Sequence, residues 1–340
     1  MPSIPRIGID AMGGDYGPSV VVEGVALAAR EMPGRFEITL VGDENELGPL
    51  LKRAHLTDLP VRVVHAPEKV DMAEKGVMAA RKSRSSLGVL TQLHKEGQVD
   101  ALFSAGNTGA VVATALLSLG RLESVSRPAL AAFFPNNAGG SVVLDVGANA
   151  ECKASYLVQF AHMGSVYARY LLGRENPRVG LLSIGEEETK GNALVFETLP
   201  LLKRARHLNF IGNVEGRDLF KDTCDVVVTD GFTGNVVLKT AESVAWLLTH
   251  KVQSELKRDH LAKVGALFMM PALRRLRASI DWEEFGAAPL LGVNGVCFVG
   301  HGASRARAVR SAIRTLVKFV ENRVNEHIRE EIEADHDSAA

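Results

Sequence analysis

Short apolar runs rich in β-branched residues alternate along this 340-residue chain with longer stretches whose apolar residues recur every three or four positions. The short runs predict strands and the longer stretches predict helices, since the two elements repeat with different periods. The predicted strands are IGID at residue 7, FEITLVG at 36, VRVVHA at 61, ALFSAG at 101, SVVLDVG at 141, RVGLLSIG at 178, LNFIGN at 208 and DVVVTDG at 225. Their alternation with helices predicts an α/β fold in which helices cover both faces of a mostly parallel sheet.

Glycine and small polar residues follow most of the predicted strands. The loops read DAMGGD, SAGNTGA, LDVGANA, SIGEEETKGN, IGNVEGRD and TDGFTGN. Because ligands of parallel sheets bind beyond the carboxyl ends of the strands, we expect these loops to form one shared ligand surface. Each loop taken alone is equally well explained as a tight connection.

The glycines favour an anion as the ligand. Glycine allows close backbone approach, and the N–H groups at the start of a following helix bind anions. The loops SAGNTGA and TDGFTGN both have this strand, glycine and helix layout. Neither a G-x-x-x-x-G-K-[ST] loop nor a well-placed G-x-G-x-x-G is present, which favours a phosphate-like anion over Mg-ATP.

Three side chains are candidates for chemistry, each with a structural alternative. Lys190 follows three glutamates before a predicted helix, where it is either a cation for the ligand or a solvated surface lysine. Asn235 lies at a helix start, where it either donates an amide N–H to an oxyanion or caps the helix. His301 lies between two glycines and is an acid, a base or an anion donor, although most histidines have none of these roles.

Carboxylates end three of the predicted strands, and we expect Asp10, Asp145 and Asp230 along one edge of the sheet. They either bind a metal or cap turns and orient amides, and the absence of compact metal-ligand spacing favours the second role. No G-x-S-x-G elbow and no Cys and His pairing appear in these motifs, so an acyl-enzyme mechanism lacks an obvious nucleophile.

The composition suits one large or two ordinary globular domains, with 46% hydrophobic and 23% charged residues. A formal net charge of −1 gives no overall field for nucleic acid, which is not an expected partner. The three cysteines form no Cys-x-x-Cys pair, which argues against a disulfide framework or a structural zinc site and favours the cytosol. No signal-peptide core and no run of about 20 apolar residues is present.

The segment 256–279 combines an apolar cluster with basic flanks. Its apolar members are Leu261, Val264, Leu267, Phe268, Met269, Met270, Leu273 and Leu276, and its basic members are Lys257, Arg258, Lys263, Arg274, Arg275 and Arg277. This pattern is typical of a surface that binds anionic membranes or an acidic partner, and equally of a helical hairpin at a dimer interface. One long amphipathic helix is predicted over 304–333, and residues 331–340 are predicted to be a disordered tail.

A set of these motifs identifies a family. The stretches IDAMGGDYGPS, SAGNTGA, RPAL, LDVGAN, VQFAHMGSVYA, PRVGLLSIGEEETKGN, FIGNVEGRD and VVTDGFTGNVVLKT occur in order between about residues 6 and 325 and closely resemble the phosphate acyltransferase family of bacterial phospholipid synthesis. The resemblance implies a two-lobed α/β fold like that of phosphotransacetylases and isocitrate dehydrogenases, with a central cleft within residues 1–330 and an extra helical projection at 256–280.

The resemblance also implies an activity and partners. Members transfer a long-chain acyl group from acyl carrier protein to inorganic phosphate, and a membrane-embedded acyltransferase then uses the acyl phosphate. We therefore expect a homodimer without cofactor or metal, cytoplasmic and bound peripherally to the inner face of the membrane through 256–279.

Site roles follow from the same resemblance. Lys190 would hold phosphate, Asn235 would stabilise the tetrahedral oxyanion, and His301 would be a possible proton carrier. Phosphate and substrate would be bound by Asp10, Gly13, Gly14, Asn107, Thr108, Asp145, Asn149, Asp230, Thr233 and Gly234. Many relatives have a lysine two residues before this histidine, where this chain has Val299.

Two rival functions remain open from the sequence. A nicotinamide-dependent decarboxylating dehydrogenase would need a metal-binding acid cluster and an arginine-rich carboxylate pocket, and neither is a clear motif here. A membrane-surface scaffold without chemistry would use residues 256–279 alone, and the intact glycine loops and Lys190 argue against it.

Overall fold

The structure, a computed structural model, describes residues 4–56, 60–258, 260–280 and 287–339. In that part of the chain, eleven strands form one sheet in the order β3-β2-β1-β4-β11-β10-β5-β6-β9-β7-β8. The strands are β1 Arg6–Asp10, β2 Glu37–Gly42, β3 Val61–His65, β4 Ala101–Ser104, β5 Ala129–Phe134, β6 Ser141–Leu144, β7 Arg178–Leu182, β8 Asn209–Val214, β9 Val226–Val228, β10 Ala288–Leu291 and β11 Cys297–Val299.

Helices connect most of these strands. They are α1 Gly17–Glu31, α2 Glu44–Arg53, α3 Gly76–Ala79, α4 Ser86–Lys95, α5 Thr108–Ser118, α6 Ala154–Leu172, α7 Ala193–Arg204, α8 Gly231–Leu256, α9 His260–Ile280, α10 Ala306–Glu321 and α11 Val324–Ala339, with a 3-10 helix at Gly216–Phe220. All eight predicted strands are confirmed, and so is the α/β fold class. Strands β5, β10 and β11 were not predicted.

Two apolar cores lie on the two faces of the sheet, because successive side chains of a strand point to opposite sides. Within β9, Val226 and Val228 belong to one core and Val227 to the other. The first core also contains residues of α1, α6, α10 and α11, and the second contains residues of α4 and α5. Each core contains residues from β2 and from β9, so both cores extend along most of the sheet.

The strand directions divide the sheet into two halves. Strands β3, β2, β1, β4 and β11 are mutually parallel, and so are β6, β9, β7 and β8. Between the halves, β11 with β10, β10 with β5, and β5 with β6 are all antiparallel. Three reversals leave the second half running opposite to the first.

The C-terminal region differs from its prediction in two ways. The helix predicted over 304–333 is divided into α10 and α11 because Arg323 takes a left-handed conformation, with φ at 49°. The tail predicted to be disordered is helical through Ala339. Ile328 and Ile332 are buried in the core that α6 shares, and this burial stabilises α11.

The segment 256–279 falls on the end of α8 and on α9, two successive helices that contact each other. Leu267 and Phe268 are exposed at 72% and 84%. Asp259 and the side chains of Leu261, Arg274, Leu276 and Arg277 lie outside the described residues. Among the helices of the described residues, none combines the length and hydropathy needed to cross a membrane.

Candidate active site

The loops that carry the predicted site residues leave the sheet from two opposite edges. Strands β1, β4 and β11 point to one edge, where the first loop cluster lies (residues 10–16, 104–108 and 300–303). Strands β6, β9 and β7 point to the other, where the second loop cluster lies (residues 145–149, 183–191 and 229–235). The expectation that Asp10, Asp145 and Asp230 share one edge is therefore wrong, because the antiparallel pairings of β10 and β5 reverse the second half.

Asp10 holds the first loop cluster together from inside. Its side chain is buried, with Oδ2 accepting the Ser104 hydroxyl at 2.7 Å and Oδ1 accepting the Met12 N–H at 3.1 Å. Burial raises the pKa of Asp10, and hydrogen bonds from the Ser86 and Ser104 hydroxyls oppose this rise. Asp10 thus orients the loops after β1 and β4.

Glycines let the three loops of the first cluster approach each other. A Cβ on Gly13 would lie 2.8 Å from the Gly106 backbone nitrogen, and Gly14 has φ at 94°. The Asp15 N–H donates to the Gly302 carbonyl at 2.8 Å, so His301 is brought beside this glycine pair. His301 is exposed, and its Nδ1 accepts the Ala303 N–H at 3.1 Å.

Asn107 caps α5 and anchors the segment that precedes α3. Its Oδ1 accepts the Ala110 N–H at 3.0 Å, and its Nδ2 donates to the carbonyls of Met72 and Glu74 at 2.7 and 2.8 Å. Thr108 follows it as the first residue of the helix and is exposed. The amide group of Asn107 is therefore used in structural hydrogen bonds, whereas Thr108 is exposed.

Asp145 organises the second loop cluster. The carboxylate is buried, and Oδ1 accepts N–H groups of Leu130, Gly147 and Ala148 at 3.0 to 3.1 Å. Its Oδ2 accepts the backbone N–H and the side-chain amide of Asn149 at 2.6 and 2.9 Å. Burial raises the pKa of Asp145, and these donors oppose the rise. Asp145 and Asn149 thus fix the turn after β6.

Asp230 caps α8, as its position predicted. Its Oδ1 accepts the Thr233 N–H at 2.9 Å, and its Oδ2 accepts the Thr233 hydroxyl at 2.7 Å. The Gly231 N–H donates to the Asn149 carbonyl at 2.8 Å. The start of α8 is therefore joined to the turn that Asp145 holds.

Asn235 lies in the first turn of α8 with its side chain exposed. Its Nδ2 donates to the Val146 carbonyl at 3.0 Å, the one hydrogen bond its side chain makes among the described residues. An amide carries two N–H groups, so a second donor is available for a ligand. The backbone beside it is close packed, because a Cβ on Gly234 would lie 1.9 Å from the Asp145 carbonyl oxygen.

The loop after β7 brings Lys190 to the same edge. Strands β6, β9 and β7 are neighbours, and neighbouring strands lie about 4.8 Å apart. The Lys190 carbonyl accepts the Ser183 hydroxyl at 3.2 Å and the Asn213 amide at 3.5 Å, which fixes the end of the loop.

The Lys190 side chain is exposed and forms no ion pair among the described residues. Two of the three preceding glutamates are already paired, Glu186 with Arg217 at 3.2 Å and Glu188 with Lys203 at 2.5 Å. The ammonium group is therefore available to an anion at this edge, and its role towards a ligand stays a prediction.

Comparison with known proteins identifies the family. A family model described as "Fatty acid synthesis protein" matches residues 5–327. Proteins named phosphate acyltransferase are similar over nearly the full length: that of Thermus thermophilus is 49% identical over 97% of this chain and 99% of its own, and that of Pelotomaculum thermopropionicum is 48% identical over 97% and 95%. The chain belongs to the phosphate acyltransferase family.

Solved structures agree with this acyltransferase in fold. A phosphotransacetylase from Streptococcus pyogenes superposes with a TM-score of 0.65 over 94% of this chain and 95% of its own, at 18% identity. The EutD phosphotransacetylase from Staphylococcus aureus does so with a TM-score of 0.59 over 94% of both chains, at 15% identity. At these identities the likeness concerns the fold alone, and it confirms the predicted similarity of fold to phosphotransacetylases.

The thiols of this acyltransferase are poorly suited to act as nucleophiles. Burial raises the pKa of Cys152 to about 11 and the pKa values of Cys224 and Cys297 to about 12. Only the thiolate is a good nucleophile, so these side chains are largely unreactive at neutral pH. Among the described residues, no three His, Cys, Asp or Glu side chains form a group that could hold a metal ion.

One residue of the first loop cluster and one beside the second were not singled out from the sequence. Ser104 ends β4 and hydrogen bonds Asp10, and its position at a strand end was the available signal. Arg127 lies in the motif RPAL, just before β5. Because β5 was not predicted, the sequence did not indicate that Arg127 lies beside the second loop cluster.

Proposed function

We propose that the enzyme transfers a long-chain acyl group from acyl carrier protein to inorganic phosphate, giving an acyl phosphate for phospholipid synthesis. One observation carries the proposal: Lys190, which forms no ion pair among the described residues, and Asn235, whose amide has a spare donor, follow neighbouring parallel strands at one edge. A cation beside an N–H donor suits an anionic nucleophile that attacks a carbonyl. The names of the close relatives support the same reaction.

The reaction is a direct displacement at the thioester carbonyl. An oxygen of hydrogen phosphate forms a bond to the carbonyl carbon, and the carbonyl oxygen becomes the oxyanion of a tetrahedral intermediate. The intermediate then collapses, the carbon–sulfur bond breaks, and the proton of hydrogen phosphate ends on the carrier thiol. No acyl-enzyme is needed, which agrees with the raised pKa values of the thiols.

The second loop cluster is assigned this chemistry. Lys190 holds and orients phosphate, and Asn235 donates to the oxyanion, where one preorganised donor contributes about 2.7–4 kcal/mol. Asp145, Asn149, Asp230, Thr233 and Gly234 shape the backbone between them and do not themselves carry the reaction. The observed hydrogen bonds of Asp145 and Asp230 to N–H groups support that division.

The first loop cluster receives no chemical step in this proposal. His301 follows β11, which ends at the edge opposite that of Lys190. No step is therefore assigned to His301, and proton transfer by this residue stays a prediction. Phosphate binding by Gly13, Gly14 and Thr108 likewise stays a prediction.

A product assay tests the reaction. Purified enzyme, long-chain acyl carrier protein and radiolabelled phosphate should yield a labelled product that hydroxylamine cleaves, and Lys190→Ala should remove most of the label. Lys203→Ala is the matched control, since this exposed lysine is paired with Glu188. No label with folded wild-type enzyme and a fully acylated carrier would refute the proposal and favour the scaffold function.

We further propose that α9 binds the membrane surface and delivers the acyl phosphate to a membrane-embedded acyltransferase. The large exposure of Leu267 and Phe268, with exposed Lys263 and Arg275 beside them, supports contact with anionic lipid. Phe268→Asp should weaken flotation with anionic vesicles, whereas Val77→Asp on the distant helix α3 should not. Equal flotation of the two variants would count against this role.

A homodimer is proposed for the same enzyme. On α8, Val236, Val244 and Leu247 are exposed at 51%, 49% and 50%, and their spacing of eight and three residues places them on one face of the helix, an unusual apolar surface for an isolated chain. A second copy covering this face would bury it. Sedimentation equilibrium should give twice the chain mass, and Leu247→Asp should shift the protein towards monomer.

A further inference from the structure

Arg127 lies at the same edge of the sheet as the proposed reaction centre. It comes just before Ala129, the first residue of β5, and β5 runs opposite to its neighbour β6. The start of β5 is therefore at the edge where β6, β9 and β7 end. Along that edge the order is Arg127, the turn 145–149, the start of α8 and the loop of Lys190.

Hydrogen bonds hold the backbone on both sides of Arg127 against the second loop cluster. The Pro128 carbonyl accepts the Asn149 amide at 2.7 Å, and the Leu130 N–H donates to the Asp145 carboxylate at 3.0 Å. Pro128 and Leu130 are both buried. The position of the Arg127 Cα is thus set by the two residues that also fix the turn after β6.

The guanidinium group lies near enough to Cys152, three residues beyond this turn, to affect the pKa of its thiol. The positive charge of Arg127 partly offsets the rise in the pKa of Cys152, a rise caused mainly by burial and increased by Asp145 and Asp230. The side chain of Arg127 is nevertheless exposed and makes no ion pair or hydrogen bond within the described part of the chain. Both nearby carboxylates accept N–H groups of their own loops instead.

We propose that Arg127 binds the phosphate substrate from the side opposite Lys190. The inference deepens the proposed function and rests on it. A guanidinium matches two oxygens of a phosphate group with parallel N–H donors, which a lysine cannot do. Two cations on either side of the start of α8 would hold the nucleophile by charge and fix its orientation, with Asn235 between them.

Kinetics of Arg127→Ala and Arg127→Lys test the proposal. We expect Arg127→Ala to raise the KM for inorganic phosphate at least about tenfold while the KM for acyl carrier protein stays within about twofold. Arg127→Lys should restore only part of the loss, because it keeps the charge and loses the paired donors. Arg62→Ala is the matched control, as this exposed arginine contacts Gln98 at the far end of the sheet.

A binding measurement on the wild-type enzyme needs no variant. Phenylglyoxal modifies accessible arginines, and peptide mass spectrometry gives the rate at each site. Inorganic phosphate should slow modification of Arg127 and leave Arg62 unchanged.

The outcomes separate this inference from the proposed function. Acyl transfer with an unchanged KM for phosphate in Arg127→Ala, or a rise confined to the KM for acyl carrier protein, would overturn the role of Arg127 alone. Equal modification of Arg127 with and without phosphate would also overturn it. Protection of Arg127 in an enzyme that forms no acyl phosphate would refute the proposed reaction and leave the phosphate site standing.

Discussion

The Asn235 amide donates to the Val146 carbonyl across 3.0 Å, which ties the first turn of α8 to the turn after β6. This contact fixes one N–H of the side chain and thereby sets the direction of the other. The donor is thus oriented before substrate arrives, and a preorganised donor stabilises a developing oxyanion without paying for reorientation during the reaction.

Replacing Asn235 tests this orientation. We expect Asn235→Ala to lower kcat about a hundredfold or more, because the oxyanion loses a fixed donor. The KM for phosphate should change far less, which steady-state kinetics with both substrates would reveal. A loss confined to KM would show that the amide acts in binding and not in the transition state.

Gly234 is the tightest backbone position of the second loop cluster. Gly234→Ala would place a Cβ 1.9 Å from the Asp145 carbonyl oxygen, and relief requires the backbone to move. We expect a loss of about 1–3 kcal/mol in the free energy of unfolding, measured with urea. Gly265→Ala is the control, since nothing lies within 4 Å of its Cβ inside α9 and the change should not lower the free energy of unfolding.

The ion pair between Arg178 and Asp225 makes the free energy of unfolding depend on pH. Burial raises the pKa of Asp225, but hydrogen bonds from Arg178, at 3.0 Å and 2.9 Å, bring it below its usual value of 3.8. A lowered pKa in the folded state means that the ionised form stabilises the fold above about pH 4, and that this contribution is lost as the pH falls through the lowered pKa.

Asp225→Asn should therefore lower the free energy of unfolding by about 1–3 kcal/mol at pH 6, and the difference from wild type should shrink towards pH 3. Urea unfolding across this range measures the difference. If the difference in free energy of unfolding between wild type and variant stays constant with pH, the charge of the Asp225 carboxylate does not contribute to stability. Glu333→Gln, on an exposed position of α11, controls for removal of any one carboxylate.

The C-terminal helix contributes to the stability of the fold. Ile332 is 1% exposed, and Ile332→Ala should cost about 2–4 kcal/mol of the free energy of unfolding. The neighbouring change Glu333→Ala should be nearly neutral, because its side chain is exposed. Similar urea midpoints for the two variants would show that α11 is not docked in solution.

Local patterns in the sequence predicted the parallel strands and the capping residues. Val226 to Val228 form a continuous apolar run because both of their faces are buried, and Asp230 caps α8 because a short carboxylate reaches the N–H groups of a helix start. Lys190 and Asn235 were singled out for the same reason, since they follow such strands, and their roles stay predictions.

The direction of each strand was not available from local pattern. Strand β5 reads ALAAFF and lacks β-branched residues, and β10 and β11 are only four and three residues long. If these strands are not predicted, the change of strand direction between the two halves of the sheet cannot be predicted either. Asp10 and Asp145 are then wrongly expected at the same edge. The same gap hid Arg127, whose position depends on where β5 begins.

The insertion of β10 and β11 between β4 and β5 also constrains the order of assembly. These two strands come from the last quarter of the chain, yet they form the only ladder that joins the halves of the described sheet. As the chain leaves the ribosome, the side of β4 that pairs with β11 and the side of β5 that pairs with β10 are both synthesised long before these two strands. The nascent protein therefore carries two unfinished sheets with open edges, and they join only when residues 288–299 have emerged.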